Sequence, residues 1–149
     1  MNFANIRNNE IIDMNSKYLD TDITRVEVLD EIYQAYLEDR NKVVYIDGEI
    51  VLNPNYEAEQ ELKERERIAK LKLTKREVFL GLFQAKQVTP DMLKAQITDP
   101  QALIEFEYAN DYYRGNPLID IVGATLGITP EQLDKFFETK DYIYLTAQE

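Results

Sequence analysis

Four of the five prolines in this 149-residue chain directly follow a helix-capping residue: Thr89-Pro90, Asp99-Pro100, Asn116-Pro117 and Thr129-Pro130. A Thr, Asp or Asn side chain at an N-cap accepts a hydrogen bond from a free N–H of the first turn. Proline is tolerated just after it, where its missing N–H would have no intrahelical partner. Used four times, the pairing commits the second half of the chain to short helices with defined starts. Thr74-Lys-Arg-Glu77 adds a capping box, in which hydroxyl and carboxylate satisfy two free N–H groups reciprocally. Gly115 and Gly127 stand where a glycine past the last turn ends a helix. Helices are expected at 75–86, 90–97, 100–113, 117–126 and 130–138. They share a core of Leu93, Phe106, Leu118, Leu133, Phe136 and Phe137, with Met92, Ile104, Tyr108, Tyr112 and Ile121 also inside. Val88-Thr-Pro-Asp-Met-Leu93 and Ile128-Thr-Pro-Glu-Gln-Leu133 read as two uses of one helix-start signal, not as an internal repeat.

The first half is punctuated differently. Residues 1–20 are Asn-rich and show no clear period, so no element is assigned there, although Phe3, Ile6, Ile11 and Ile12 could pack. Thr24-Arg-Val-Glu27 reads as another capping box, opening a helix to about Asp39 along Val26, Leu29, Ile32, Tyr33, Tyr36 and Leu37. In Lys42–Leu52 (KVVYIDGEIVL) two β-rich runs flank Asp47-Gly48, a pair that tolerates the positive φ angles of a type I′ turn, and a hairpin follows. After Asn53-Pro54-Asn55 comes a charged helix (YEAEQELKERERIAKLKL), carboxylates first and cations last, with a thin apolar stripe that makes it a connector. The expected fold is therefore mainly α with one β-hairpin, an α+β chain. A compact C-terminal bundle of short helices (74–149) is joined by the connector (55–73) to an N-terminal helix-hairpin unit (1–54).

Several function classes drop out. The chain has no histidine, no cysteine and a single serine, Ser16, so hydrolase triads and the usual zinc sites lack their residues. The five glycines are scattered and form no phosphate loop. Carboxylate pairs such as Glu105/Glu107 and Asp30/Glu31 point apart on a helix. No enzyme activity, cofactor or metal is expected. Asp20-Thr-Asp22 with Glu31 has the outline of a calcium loop, but Arg25 stands where glycine is needed and the helical reading explains these residues better. Helices 75–86 and 90–97 have the outline of a helix-turn-helix without its basic face; the second carries Asp91 and only Lys94.

The net charge of −11 argues against nucleic acid or an anionic membrane as partner. Residues 1–60 hold thirteen carboxylates against five Lys/Arg, a net of −8, while 63–76 alone are basic. No opening stretch pairs a basic with an apolar region, so export by signal peptide is not expected and synthesis is cytoplasmic. Tyrosine, which tolerates both burial and water, supplies ten residues against no tryptophan. Tyr108, Tyr112 and Tyr113 followed by Arg114 form one candidate partner-binding patch. The hairpin, with Tyr45, Asp47 and Gly48, forms the other, because two strands alone leave edges without a mate.

The order of "YIDGEIVLNPNYEAEQ", "ELKERERIAKLKLTKREVF" and "RGNPLIDIVGATLGITPEQLDKFFE" resembles small accessory proteins encoded among phage and prophage tail genes, including tail-fibre assembly proteins. The resemblance covers roughly residues 43–140 and carries over no functional residue. It implies a non-enzymatic virion component or assembly factor whose partners are phage tail, fibre or virion proteins. Its place is then the host cytoplasm or the virion, and homo-oligomers are allowed. The rival is a small acidic phage inhibitor that blocks a host nucleic-acid enzyme, as anti-CRISPR and DNA-mimic proteins do, with the acidic first sixty residues as its blocking face.

Overall fold

Asn8 and Asn9, in the Asn-rich opening stretch, both lie in the left-handed region, at φ 53° and 64°. Asparagine tolerates that region better than most residues, and two such residues make the tight turn whose twist suits a hairpin. In the computed structural model, which describes residues 1–18 and 21–146, this turn joins β1 (Asn2–Arg7) to β2 (Glu10–Met14). β3 (Thr24–Val28) pairs antiparallel with the other side of β1, giving the order β2-β1-β3. Ala4, Ile6, Met14 and Val28 pack with Ile32 of α1 (Asp30–Glu38) and with Val43. A short 3-10 turn, Arg40–Lys42, leads into β4 (Val43–Ile46) and β5 (Glu49–Leu52). They form the expected hairpin, with Asp47 at φ 52° and Gly48 at φ 85°.

The expected helix from Thr24 is corrected. Residues 24–28 are a strand, and α1 begins at Asp30 behind Leu29, which offers no side-chain cap. A capping box satisfies two N–H groups; pairing with β1 satisfies a row of them and turns Val28 into the core. Of the calcium-like outline, Asp20 lies outside the described residues, and Asp22 accepts an ion pair from Arg7 at 2.9 Å.

The described residues divide into two compact units, Met1–Glu61 and Leu62–Glu149. The division falls inside the charged helix, α2 (Tyr56–Ala69), which has no buried residue. Beyond it β6 (Lys72–Thr74) leads into α3 (Lys75–Lys86), whose capping box is present: Glu77 N–H donates to Thr74 Oγ1 at 3.2 Å and Thr74 N–H to Glu77 Oε2 at 2.8 Å. α4 (Pro90–Lys94), α5 (Pro100–Tyr108), α6 (Pro117–Thr125) and α7 (Pro130–Thr139) each open on the expected cap residue with proline behind it. Between α5 and α6 runs β7 (Asp111–Tyr113), antiparallel to β6. The core gathers Leu73, Val78, Leu82, Phe106, Tyr112, Leu133, Phe136 and Leu145. Gly81 lets Phe136 in close, since a Cβ there would overlap its ring.

The expected helix 100–113 stops at Tyr108, because the aromatic run behind it pairs with β6 and places Tyr112 in the core. The Tyr112 hydroxyl donates to the Phe106 carbonyl at 2.8 Å, and Lys75 Nζ to that of Glu107 at 2.7 Å, so last-turn carbonyls of α5 find side-chain donors. Gly115 accordingly ends no helix, whereas Gly127, at φ 70°, lies just past α6. The fold class is likewise corrected. Among the described residues, seven α-helices and three small antiparallel sheets make an α+β fold, not a mainly α chain with one hairpin. The extra strands were missed because each is at most six residues long and two of the sheets pair partners distant in sequence.

Candidate functional site

The sequence-chosen residues fall into surface and interior. In the first unit Asp47 and Gly48 form the exposed hairpin turn, and Tyr45 is half-buried on β4. In the second, Tyr108 is 77% exposed at the end of α5 and Tyr113 53% exposed on β7. Tyr112 between them is 1% exposed. Burial, with the nearby Glu105 charge, pushes its phenol up to about 12. Arg114 is buried too. Its Nε donates to Asp134 Oδ1 at 2.6 Å, its Nη1 to Asp120 Oδ1 at 2.9 Å and its Nη2 to the Pro130 carbonyl at 3.3 Å. Those bonds tie the end of β7 to the first turns of α6 and α7. Tyr112 and Arg114 hold the interior, and Tyr113 alone of the three faces outward from this stretch.

Tyr113 forms one wall of a groove of about 460 Å³ between α5, the β7 turn and the start of α6. Ile121, half-exposed, stands on the other side, and exposed Pro117, half-buried Ala102 and buried Leu118 share the lining. Asp99, Glu105, Gln101 and Asn116 complete the lining, which contains no cation. Two of these polar groups are already engaged: Asp99 Oδ2 accepts from Ala102 N–H at 2.8 Å and Asn116 Oδ1 from Leu118 N–H at 3.0 Å. Glu105 has no ion-pair partner among the described residues. The geometry offers an apolar slot with a negative border, suited to an apolar side chain flanked by Lys or Arg.

Sequence reasoning put Ile121 in the core, yet Leu118, Ile119 and Gly123 take the buried side of α6 and Ile121 turns outward. Ile104, Tyr108 and Met92, also expected inside, are exposed. Met92 belongs to α4, five residues long, and Ile104 and Tyr108 to α5, nine long; on helices this short the buried stripe has few positions, and a one-residue error moves a side chain by about 100°.

A second concavity, of about 450 Å³, lies in the first unit, lined by Tyr36, Tyr45, Arg40, Asn41, Asn53 and Glu59 among others. No group of three or more His, Cys, Asp or Glu that could hold a metal ion occurs among the described residues. None of the described helices is long and apolar enough to cross a membrane. No protein-family model, curated protein or solved structure matches the chain.

Proposed function

We propose that this chain is a non-enzymatic protein-binding factor, of the kind that accompanies or assembles phage tail, fibre or virion proteins. The groove beside Tyr113 carries the reading. Exposed Tyr113 and Ile121 flank apolar Leu118 and Ala102, with two carboxylates and no cation in the lining. Aromatic and apolar side chains over a partly buried slot are the usual centre of a protein interface, and the carboxylates would select a basic neighbour on the partner. The order of segments that resembles tail accessory proteins gives the partner class.

The rival reading, an acidic inhibitor of a nucleic-acid enzyme, draws on the first unit, where Glu27, Asp30, Glu31, Glu38, Asp47 and Glu49 are all exposed. Affinity purification of the full chain, with co-expressed tail and fibre proteins in one arm and a purified nuclease in the other, separates the two. An accessory should co-purify with a tail or fibre protein at fixed stoichiometry and lose it on Tyr113→Ala with Ile121→Ser. An inhibitor should bind the nuclease, weaken steeply with salt and ignore those substitutions.

A further inference from the structure

The concavity of the first unit differs in chemistry from the groove of the second. Its volume, about 450 Å³, falls within the roughly 300–1,000 Å³ of small-molecule sites. Several stretches of chain build it: Asn9 and Glu10 at the β1–β2 turn, Tyr36 of α1, Arg40 and Asn41 of the 3-10 turn, β4, Asn53 behind β5 and Glu59 of α2. Tyr36 and Tyr45 are half-buried, each packed against the core that contains Ile6, Ile32 and Val43. Two aromatic side chains therefore reach the concavity from a fixed base. The phenols of Tyr18, Tyr56 and Tyr112 donate to protein acceptors; those of Tyr36 and Tyr45 have no hydrogen-bond partner among the described residues.

The polar lining is held by bonds of its own. Arg40 Nη2 donates to the Ile11 carbonyl at 3.0 Å, which anchors the guanidinium and leaves Nε and Nη1 open. Asn53 Nδ2 donates to the Asn41 carbonyl at 3.0 Å and to Glu59 Oε2 at 3.2 Å. Asn9 and Glu10 are exposed and make no side-chain bond among the described residues. The charges are mixed: Arg40 shares the lining with Glu10 and Glu59. An anion would meet two carboxylates and a cation the guanidinium, so neither is favoured.

What fits is a neutral molecule that donates and accepts several hydrogen bonds and carries an apolar face. Saccharides have that combination: each hydroxyl both donates and accepts, and the C–H face of the ring packs on an aromatic side chain. We infer that the first unit binds a neutral mono- or disaccharide in this concavity, its ring against Tyr36 and Tyr45 and its hydroxyls on Arg40, Glu10 and Asn9. The site shares no lining residue with the protein-binding groove, and the inference does not rest on that reading.

Saturation-transfer NMR on the full-length protein tests this, with maltose, lactose and chitobiose as separate probes and adenosine and inorganic phosphate as controls. The expected result is transfer to the ring protons of at least one disaccharide, with a Kd of about 1 mM or tighter. Arg40→Gln combined with Glu10→Gln, both exposed positions that leave the core intact, should weaken that binding by about fivefold or more, the loss of one to two hydrogen bonds. Tyr45→Ala should abolish it, with the melting curve checked in parallel. Three results would overturn the assignment: no transfer to any of the three disaccharides, adenosine or phosphate binding more tightly than all of them, or binding unchanged in the Arg40/Glu10 double variant.

Discussion

In the second unit Asp99 caps α5 through the N–H of Ala102, three positions on. In the first, Asn5 is 2% exposed and its amide donates to Asp13 at 2.7 Å and to the Ser16 carbonyl at 3.0 Å, eight and eleven positions away, while Asn2 bonds Asp30 across twenty-eight. The first unit has local caps too, Asp39 accepting from the Asn41 N–H, but its buried Asn5 serves a second purpose, cross-linking distant chain. Where Asn, Asp and Thr cap helices, the element is settled within one turn and little chain must be closed to form it. Where they cross-link strands, loop closure precedes any reward, which places the sheet unit on the slower, more cooperative side of folding.

The sharpest way to break this contrast is in the helical core. Phe136→Ala removes a ring that is 2% exposed and edge-on to Phe137; a loss of about 3–5 kcal/mol is expected, read as a lower denaturation midpoint by circular dichroism. A change under about 1 kcal/mol would mean that local caps alone hold the second unit. Next comes the first unit's own anchor. Asn5→Ala takes the Asn5 donor from Asp13 Oδ1 and from the Ser16 carbonyl, Asp13 keeping its bond from the Tyr18 hydroxyl, and should cost about 1–3 kcal/mol, seen as faster amide exchange along β1 and β2. Gly48→Val, at φ 85°, should cost on the order of 1–3 kcal/mol; an unchanged melt would place the hairpin outside the cooperative structure. Thr129→Ala removes one local cap and should cost only about 1 kcal/mol, less than the distant bonds of Asn5 if the contrast holds.

The smallest effect is electrostatic. The Thr74 N–H, the Lys140 ammonium and the Thr74 hydroxyl, in that order, hold the Glu77 carboxyl below its ordinary value of 4.5. The folded state therefore binds this proton less readily than the unfolded one. The contribution is complete above about pH 4.5 and fades as pH falls through the depressed folded value. Glu77→Gln, which has no proton to release there, should make the acid limb of a melting-temperature profile shallower, and an identical limb would mean that Glu77 contributes nothing to it.

The same contrast explains what could be read from the residues. All four cap–proline pairs and both ends of the Asp47-Gly48 hairpin were legible, because each signal is complete within a few positions. Asn8-Asn9 was legible in principle, as two residues suited to positive φ between short β-capable runs, but Asn5 spoiled the alternation by placing a polar side chain inside. Thr24-Arg-Val-Glu27 satisfies both a capping box and a period-two strand, and only β1 decides between them. Of the candidate site, Tyr113 was found through its aromatic run, while Glu105 and Ala102 of the groove were invisible because they meet Tyr113 only after β7 turns back.

Tyr112 also gives the molecule a built-in optical signal. With no tryptophan in the chain, near-ultraviolet absorbance belongs chiefly to tyrosine. Burial withholds the Tyr112 proton until about pH 12, whereas an unfolded phenol releases it near 10. The folded unit therefore loses stability as pH rises through that interval. A phenolate absorbance step that arrives late, and together with the loss of helix, would time the opening of the second unit with no label attached.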